Sequence, residues 1–232
     1  MILKQEREEL YSCYKKMLET GLTNGTSGNV SLINRKEQLL VISPTGVSFD
    51  KLKLEKISIV DFEGNLIDGL MPSSELEMHQ ILYKNRNDIN AIIHGHTVFS
   101  TTISCLREDL PAIDYMIAVA GGNSVKCAEY ATYGTQELAE NVLKAMVGRK
   151  AALLANHGII VGAGDIHNAF NIIEQIEYVA ELYVRARSIG DPVILSDNEM
   201  EKMVKQIGGG FDVAWTGISY EERQTGSKST ML

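Results

Sequence analysis

Apolar residues recur along this chain with two different periods, which together predict helices alternating with strands. The first helix is indicated by four apolar residues that share one helical face: Leu10, Tyr14, Met17 and Leu18. Gly21 follows this face as a C-terminal stop. Two short apolar runs then predict strands, the second of which ends at Pro44. A β-hairpin is expected over residues 56–69, with its turn at residues 63–65.

The later part of the chain predicts four more helices and two apolar strands. Ser74 and Glu77 have the spacing of a capping box, so a helix is predicted to begin there. Three more helices are expected to begin after polar N-cap residues: Thr135, Asp165 and Ser196. The apolar runs at 89–97 and 151–160 are each predicted as one strand.

This interleaving predicts one α/β domain with a mixed, largely antiparallel sheet between helices. The chain has 232 residues, of which 44% are hydrophobic, and this is enough for one substantial core. Residues 1–207 are expected to form the domain. Three consecutive glycines at 208–210 predict a hinge, so residues 208–232 are expected to form a mobile C-terminal tail.

Charge and cysteine content limit the partners and the compartment. The net charge is -8 and no basic run exceeds a pair, so binding to nucleic acid or to an anionic membrane is not expected. Cys13, Cys105 and Cys127 are far apart and form no C-x-x-C pair, which argues against a disulfide framework. The N-terminus is charged rather than apolar and does not resemble a signal peptide. We therefore expect a cytoplasmic protein.

Three histidines occur where apolar runs end. His94 and His96 lie two positions apart, so in a strand their side chains project to the same face, about 7 Å apart along it. His157 follows a second apolar run in the same way. A metal site, a pH switch and buried histidines that bond to carbonyl groups are all compatible with this pattern, and the combination of three favours the metal. His79 and His167 are interpreted as structural or solvated.

Polar loops and one carboxylate supply further candidate chemistry. Glu75 lies at a predicted helix N-terminus, where the helix dipole favours negative charge. Ser73 and Ser74 precede it, and hydroxyl groups with free backbone N–H groups at a helix start can bind an anion. Two other loops offer neutral donors: Gly28, Asn29, Thr45 and Gly46. Each loop by itself is also ordinary turn chemistry, and that alternative remains open.

Seven short motifs occur in order between about residue 18 and about residue 201. They are GLTNGTSGNVS, ISPTGVSFDKL, PSSELEMH, HGH, AIDYMIAVAGGNS, CAEYATYGTQEL and NHG. Together they resemble the class II aldolase family of small metal-dependent sugar-phosphate aldolases and epimerases. The resemblance implies a three-layer α-β-α domain and a homotetramer with fourfold symmetry, whose active sites lie at subunit interfaces.

The resemblance also implies roles for particular residues. His94, His96 and His157 would bind Zn²⁺, with Glu75 as a fourth ligand in the resting enzyme. Six residues would bind the substrate phosphate: Gly28, Asn29, Thr45, Gly46, Ser73 and Ser74. The implied reaction is reversible aldol cleavage of a ketose 1-phosphate to dihydroxyacetone phosphate and an aldehyde. Glu75 would exchange a proton with C3, and Tyr115 of a neighbouring subunit would take the C4 hydroxyl proton.

The substrate is less narrowly implied than the reaction. L-Fuculose 1-phosphate, which gives L-lactaldehyde, is the first expectation. However, Tyr133 stands where the corresponding pattern has Phe, and Gly208–Gly210 occupy the place of a mobile tyrosine for which Tyr220 is the candidate replacement. Another deoxy-ketose 1-phosphate, such as 5-deoxyribulose 1-phosphate or a rhamnulose type, is therefore an alternative.

Three functions other than aldol cleavage are alternatives on this scaffold. An L-ribulose-5-phosphate 4-epimerase would typically carry Asp at the position of Glu75, and a dehydratase acting on methylthioribulose phosphate is a weaker alternative on the same scaffold. A non-catalytic scaffold of adducin type would have no need of the metal ligands. Because the ligands, the phosphate loops and Glu75 occur together, the sequence favours the aldolase.

Overall fold

The computed structural model describes residues 1–48 and 51–208. Its α-helices are α1 (Lys4–Glu19), α2 (Leu76–Asn85), α3 (Val98–Leu106), α4 (Gln136–Ala145), α5 (Ile166–Ile189) and α6 (Asp197–Gly208). Its strands are β1 (Asn29–Asn34), β2 (Leu39–Ile42), β3 (Ser58–Asp61), β4 (Leu66–Asp68), β5 (Ala91–Gly95), β6 (Leu110–Pro111), β7 (Ser124–Ala128), β8 (Ala151–Leu154) and β9 (Gly158–Ala163). Short 3₁₀ helices cover Leu54–Lys56 and Tyr115–Ala120. Apart from Gly208, the predicted tail with Tyr220 lies outside the described residues.

The strands of the described residues form one nine-stranded sheet in the order β4-β3-β2-β1-β5-β9-β8-β7-β6. The β7–β8 pair is parallel, and the other neighbouring pairs are antiparallel. The predicted hairpin is present as β3 and β4. The prediction of a mixed, largely antiparallel sheet is therefore confirmed.

Side chains of the central strands alternate between two apolar clusters on opposite faces of this sheet, as the two-residue period requires. On β5, Ile92 belongs to one cluster and Ile93 to the other. The first cluster takes its helical residues from α2 and α4: Met78, Leu82, Leu138 and Val142. The second takes them from α1, α3, α5 and α6, including Leu10, Ile103, Ile173 and Met200. The sheet thus lies between two helical layers, which confirms the three-layer α-β-α architecture.

Three of the predicted helix starts are confirmed by their hydrogen bonds. Thr135 Oγ1 accepts from the Leu138 N–H at 3.3 Å, and Asp165 Oδ1 accepts from the Asn168 N–H at 2.8 Å. The Ser196 hydroxyl accepts from the Glu199 N–H at 3.3 Å. Each contact satisfies a backbone donor that the first helical turn leaves without an intrahelical partner.

The predicted capping box of Ser74 and Glu77 is wrong. Helix α2 begins at Leu76, and Glu75 occupies the N-cap position without a capping side-chain hydrogen bond. The reason is a turn just before the helix, in which the Leu76 N–H donates to the Ser73 carbonyl and the Glu75 N–H donates to Ser73 Oγ. This turn places Ser74 outside the helix.

The run at 151–160 is two strands and not one as predicted. β8 and β9 pair in antiparallel register, with Leu154 opposite Gly158, and residues 155–157 form the turn between them. Asn156 has φ 54°, a left-handed conformation that Asn tolerates better than most residues. Apolar residues on both sides of this short turn imitate one continuous strand. His157 consequently lies in the turn.

Two further features concern the cysteines and the helices. All three cysteines are free, as expected. No helix among the described residues is long and apolar enough to cross a membrane.

Candidate functional site

Four side chains from separate elements converge at one end of the sheet. His94 is in β5 and His96 directly follows that strand, whereas His157 lies in the turn that leads into β9, the neighbour of β5. Glu75 reaches the same point from the start of α2. One ligand atom from each of the four residues lies within 4.8 Å of all the others.

The separations between these atoms suit a small cation. His94 Nε2 is 3.0 Å from His96 Nε2 and 3.4 Å from Glu75 Oε2. His157 Nε2 is 3.2 Å from Glu75 Oε1. The ligands of a tetrahedral ion bound at 2.0–2.1 Å are about 3.3 Å apart, which is close to these three separations.

The hydrogen bonding and burial of His94 prepare it as a ligand. Its Nδ1 donates to the Ile159 carbonyl oxygen at 2.9 Å, which leaves a lone pair on Nε2 that faces the cluster. Burial, only partly opposed by the nearby Glu75 carboxylate, lowers the pKa of His94 to about 3. Burial and His157 also lower the pKa of His96. Neutral imidazoles are the form that binds a metal.

Glu75 is held as a buried carboxylate. Burial raises its pKa, but His94 and His157 beside it and a hydrogen bond from Asn29 together outweigh burial and hold the pKa below its ordinary value. The Asn29 amide nitrogen donates to Oε2 at 2.8 Å. Oε1 is buried and has no hydrogen-bond partner among the described residues. His157 Nε2 lies 3.2 Å from Oε1 without forming a hydrogen bond of good geometry to it, and a cation bound between the imidazoles and the carboxylate would satisfy this oxygen.

The cluster borders a cavity of about 380 Å³ that also receives the three predicted phosphate loops. All six predicted residues line it: Gly28, Asn29, Thr45, Gly46, Ser73 and Ser74. Glu75, His96 and His157 line it as well. No lysine or arginine of the described residues is part of this lining, so an anion bound here would rely on N–H and O–H donors and on the cation.

Backbone hydrogen bonds fix the three loops beside one another. The Thr45 N–H donates to the Met71 carbonyl and the Ser73 N–H donates to the Ser43 carbonyl, each at 3.1 Å. The Ser43 hydroxyl accepts from the Val30 N–H, also at 3.1 Å. These bonds bring together loops that are separated by up to about 45 residues in sequence, which no local pattern could predict.

The side chain of Asn29 has partners that the sequence did not indicate. It donates to Glu75, and its Oδ1 accepts from His79 Nε2 at 2.5 Å. His79 is completely buried, which confirms a structural role and excludes a solvated side chain. Its connection to the site was not predicted. Its partners lie about 50 residues away in sequence, and its polar chain neighbours concealed its burial. His167 is exposed, as expected.

Comparison with known proteins decides the family. Residues 8–184 match the family model described as the class II aldolase and adducin N-terminal domain. The chain belongs to the class II aldolase family. The match covers Glu75, the three clustered histidines and all three loops, so the expected family is confirmed.

Several relatives of this class II aldolase have named activities. The chain is 46% identical over 210 residues to a 5-deoxy-D-ribulose 1-phosphate aldolase of Bacillus thuringiensis serovar kurstaki, covering 90% of this chain and 98% of that protein. It is 41% identical over 204 residues to the L-fuculose phosphate aldolase of Escherichia coli strain K12, covering 88% and 94%. A solved structure of an L-fuculose 1-phosphate aldolase superposes with a TM-score of 0.86 at 52% identity, covering 88% and 96%.

Two tyrosines line the cavity, whereas Tyr115 does not. Tyr133 lines the cavity and is 66% exposed, and Tyr130 lines it too. Asn156, from the β8–β9 turn, is a further lining residue, and neither it nor Tyr130 was predicted. Tyr115 does not line this cavity and is half-exposed on its 3₁₀ helix. Its expected role would therefore require the cavity of another subunit.

Proposed function

We propose that this protein catalyses metal-dependent, reversible aldol cleavage of a ketose 1-phosphate to dihydroxyacetone phosphate and an aldehyde. The observation that carries the proposal is the meeting of Glu75 and three histidines in the cavity that also receives three donor loops. A ketose 1-phosphate needs both kinds of site within one cavity, because its phosphate and its reacting carbons are only a few bonds apart.

The histidines and Glu75 are proposed to hold one divalent ion per subunit, and Zn²⁺ is the expected metal. When bound, it supplies Lewis-acid stabilisation of the negative charge that develops on the substrate oxygens as C3–C4 breaks. The buried, neutral imidazole of His94 and the ionised carboxylate of Glu75 support this assignment. The ligand set of three nitrogens and one oxygen is typical of zinc centres.

The phosphate is proposed to bind where the three loops meet. Its ligands would be Gly28, Asn29, Thr45, Gly46, Ser73 and Ser74. Ser73 and Ser74 stand before α2, whose N-terminus favours negative charge. Fixing the phosphate fixes the distance of C3 and C4 from Glu75, which is an orientation effect. Because Asn29 is already bonded to Glu75, it would serve both the phosphate and the carboxylate.

Glu75 is the proposed acid-base residue. On cleavage, the C3–C4 bonding electrons remain with the triose fragment. Glu75, which is ionised before the reaction, takes up a proton from water and then donates it to C3; in condensation Glu75 removes the proton from C3. As the aldehyde carbonyl forms, Tyr115 of a neighbouring subunit takes the C4 hydroxyl proton and releases its own phenol proton to water, so that one proton moves overall from the C4 oxygen to C3. Support for Glu75 comes from its position at the edge of the cavity, with one oxygen anchored by Asn29.

The aldehyde distinguishes the two candidate substrates. L-Fuculose 1-phosphate would give L-lactaldehyde, and 5-deoxyribulose 1-phosphate would give acetaldehyde. Relatives named for each of these activities are 41% and 46% identical to this chain and support both candidates. Tyr133 is proposed to contact this part of the substrate, with Tyr220 of the tail as a second candidate.

We further propose that the protein works as a homotetramer in the cytoplasm, with active sites at subunit interfaces. Support comes from Tyr115, which is half-exposed and does not line the cavity of its own chain. Such a tyrosine is available to the cavity of a neighbouring subunit.

A cleavage assay tests the proposed function. Purified protein would be given L-fuculose 1-phosphate, 5-deoxyribulose 1-phosphate, L-rhamnulose 1-phosphate and L-ribulose 5-phosphate, and dihydroxyacetone phosphate would be measured with a coupled reduction. We expect triose phosphate from at least one deoxy-ketose 1-phosphate, loss of this activity with a chelator and recovery with Zn²⁺. An inverted pentose without triose release would contradict the aldolase and favour the epimerase.

A further inference from the structure

We propose that His79 is a positioning residue for the metal centre, which it controls through Asn29 and Glu75. This inference rests on the proposed metal site but concerns a residue that is not among its ligands. His79 lies completely buried behind the cluster and does not line the cavity. Its effect on the site is transmitted by a continuous chain of side-chain hydrogen bonds.

The hydrogen-bonded chain contains five side chains, which come from β1 and from α2 with its N-cap residue Glu75. Glu75 accepts from the Asn29 amide at 2.8 Å, and the Asn29 carbonyl oxygen lies 2.5 Å from His79 Nε2. On its other side, His79 Nδ1 lies 2.6 Å from the Ser31 hydroxyl, which is 2.7 Å from the Tyr83 hydroxyl. All five side chains are buried, with exposures between 0% and 8%.

The hydrogen-bonding capacity of these groups gives every bond one direction. An ionised Glu75 only accepts, so Asn29 must present its NH₂ group to it and its oxygen to His79. His79 Nε2 must therefore carry a hydrogen. Burial, only partly opposed by Glu75, lowers the pKa of His79 to about 4, so at neutral pH Nδ1 has no hydrogen and accepts from Ser31.

The hydroxyl of Ser31 has one hydrogen, which is used on His79. Tyr83 must therefore donate to Ser31. Four successive donors thus point the same way, from Tyr83 through Ser31, His79 and Asn29 to Glu75. Bonds aligned in this manner polarise one another, which strengthens the last of them.

The consequence for Glu75 is a fixed carboxylate. An Asn side chain can rotate by half a turn about its last bond, which would place its oxygen against the carboxylate of Glu75. The Nε2–H of His79 prevents this, because the rotated amide would present a donor to a donor. With Oε2 held by Asn29, Oε1 remains without a hydrogen bond from the described residues and faces the His157 imidazole. Partners of this kind typically change metal affinity 10–100-fold.

Two substitutions of His79 test the hydrogen bonds of its two ring nitrogens separately. His79→Gln places an amide near the position of Nε2 and keeps a donor for Asn29. His79→Asn places its polar atoms near the position of Nδ1, so it keeps the contact with Ser31 and loses the contact with Asn29. Both remove the ring, so loss of packing alone would affect them similarly. The dissociation constant for Zn²⁺, measured by competition with a chromogenic chelator, is the readout, and thermal unfolding of the metal-free proteins reports stability.

We expect His79→Asn to weaken zinc binding at least about tenfold and His79→Gln to remain within about threefold of the unchanged protein. Equal zinc affinity in all three proteins, or equal weakening in both variants, would overturn the proposal. Failure of the unchanged protein to bind zinc would instead contradict the proposed function.

A second measurement needs no variant. In the metal-free protein, ¹⁵N NMR of histidine-labelled samples should find His79 as the neutral tautomer with hydrogen on Nε2. Hydrogen on Nδ1 would reverse the chain of donors and overturn the proposal, whatever the variants do.

Discussion

Gly28 packs directly against the backbone of His94. A Cβ atom at Gly28 would lie 2.7 Å from the His94 carbonyl oxygen, closer than a Cβ can approach, and Gly28 has φ 74°. The β1–β5 register accounts for this contact, since Asn29 pairs with His94. One loop therefore carries a predicted phosphate ligand and also sets the backbone position of a predicted metal ligand.

This relationship predicts that Gly28→Ala weakens metal binding. The added methyl group must displace either β1 or His94, at a cost of about 1–3 kcal/mol for overpacking in addition to the strain of a positive φ. Gly25 is the matched control, because it has φ 64° and an added Cβ would meet nothing within 4 Å. Zinc affinity and urea unfolding should be measured for both variants. We expect Gly25→Ala to lose only stability, whereas equal zinc affinities in the two variants would contradict the prediction.

Glu75→Gln removes the proposed proton carrier while keeping the size of the side chain. We expect kcat for cleavage to fall about 10²–10⁴-fold, because a positioned acid-base group contributes on that order. Glu77→Gln is the control, since Glu77 is exposed in the first turn of the same helix and has an equal charge. Steady-state kinetics at saturating zinc would measure both variants. Near-normal turnover by Glu75→Gln would exclude Glu75 as the acid-base residue.

The sequence predicted the grouping of Glu75 with the three histidines more completely than the hydrogen-bonded side chains behind them. Each of the three histidines, His94, His96 and His157, follows an apolar run, and this pattern is local in sequence. The family resemblance of the ordered motifs implied that Glu75 belongs with them. The contacts of His79 could not be predicted from a local pattern, because its partners Ser31 and Asn29 lie in β1, about 50 residues away in sequence. Only the packing of α2 against the sheet brings them together.

The two wrong predictions of secondary structure have a similar origin. The β8–β9 turn needs only three residues, and Asn156 adopts a left-handed conformation there without a Gly or Pro to announce it. The predicted capping box was wrong because the Ser73 hydroxyl, and not that of Ser74, accepts a hydrogen bond, from the Glu75 N–H just before α2. In both places the local pattern fitted two conformations, and long-range packing selected one of them.

The buried His79 predicts a loss of stability in mild acid. Burial lowers its pKa from 6.5 to about 4, so between these values the unfolded chain binds a proton that the folded protein does not. Stability should therefore fall as the pH falls from 7 to 5, by on the order of 2 kcal/mol from this residue. Urea unfolding of the metal-free protein at both pH values measures the loss. His79→Gln cannot titrate and should lose less stability over this interval; equal losses would contradict the prediction.

Tyr115 is predicted to act in the cavity of a neighbouring subunit, and mixed tetramers test this directly. Tyr115→Phe should lower kcat about 10²-fold or more without changing zinc affinity. Tyr178→Phe is the control, because Tyr178 is similarly exposed, at 54% against 52%. Glu75→Gln and Tyr115→Phe proteins, each nearly inactive, should recover activity when they are unfolded together and refolded as mixed assemblies. Recovery requires one site to combine Glu75 and Tyr115 from different chains, so no recovery would place Tyr115 in its own chain's site.

Removal of residues 211–232 should lower activity on the preferred substrate more than it lowers the stability of the fold. Tyr220 lies outside the described residues, whereas α6 and the sheet end before the deletion begins. We expect unchanged thermal unfolding and zinc affinity, with a fall in kcat/KM for the preferred ketose 1-phosphate. Tyr220→Phe in the full chain should reproduce the fall if the phenol hydroxyl is responsible, because this substitution keeps the ring. Full activity after the deletion would exclude Tyr220 from catalysis and leave Tyr133 as the aromatic candidate for the aldehyde.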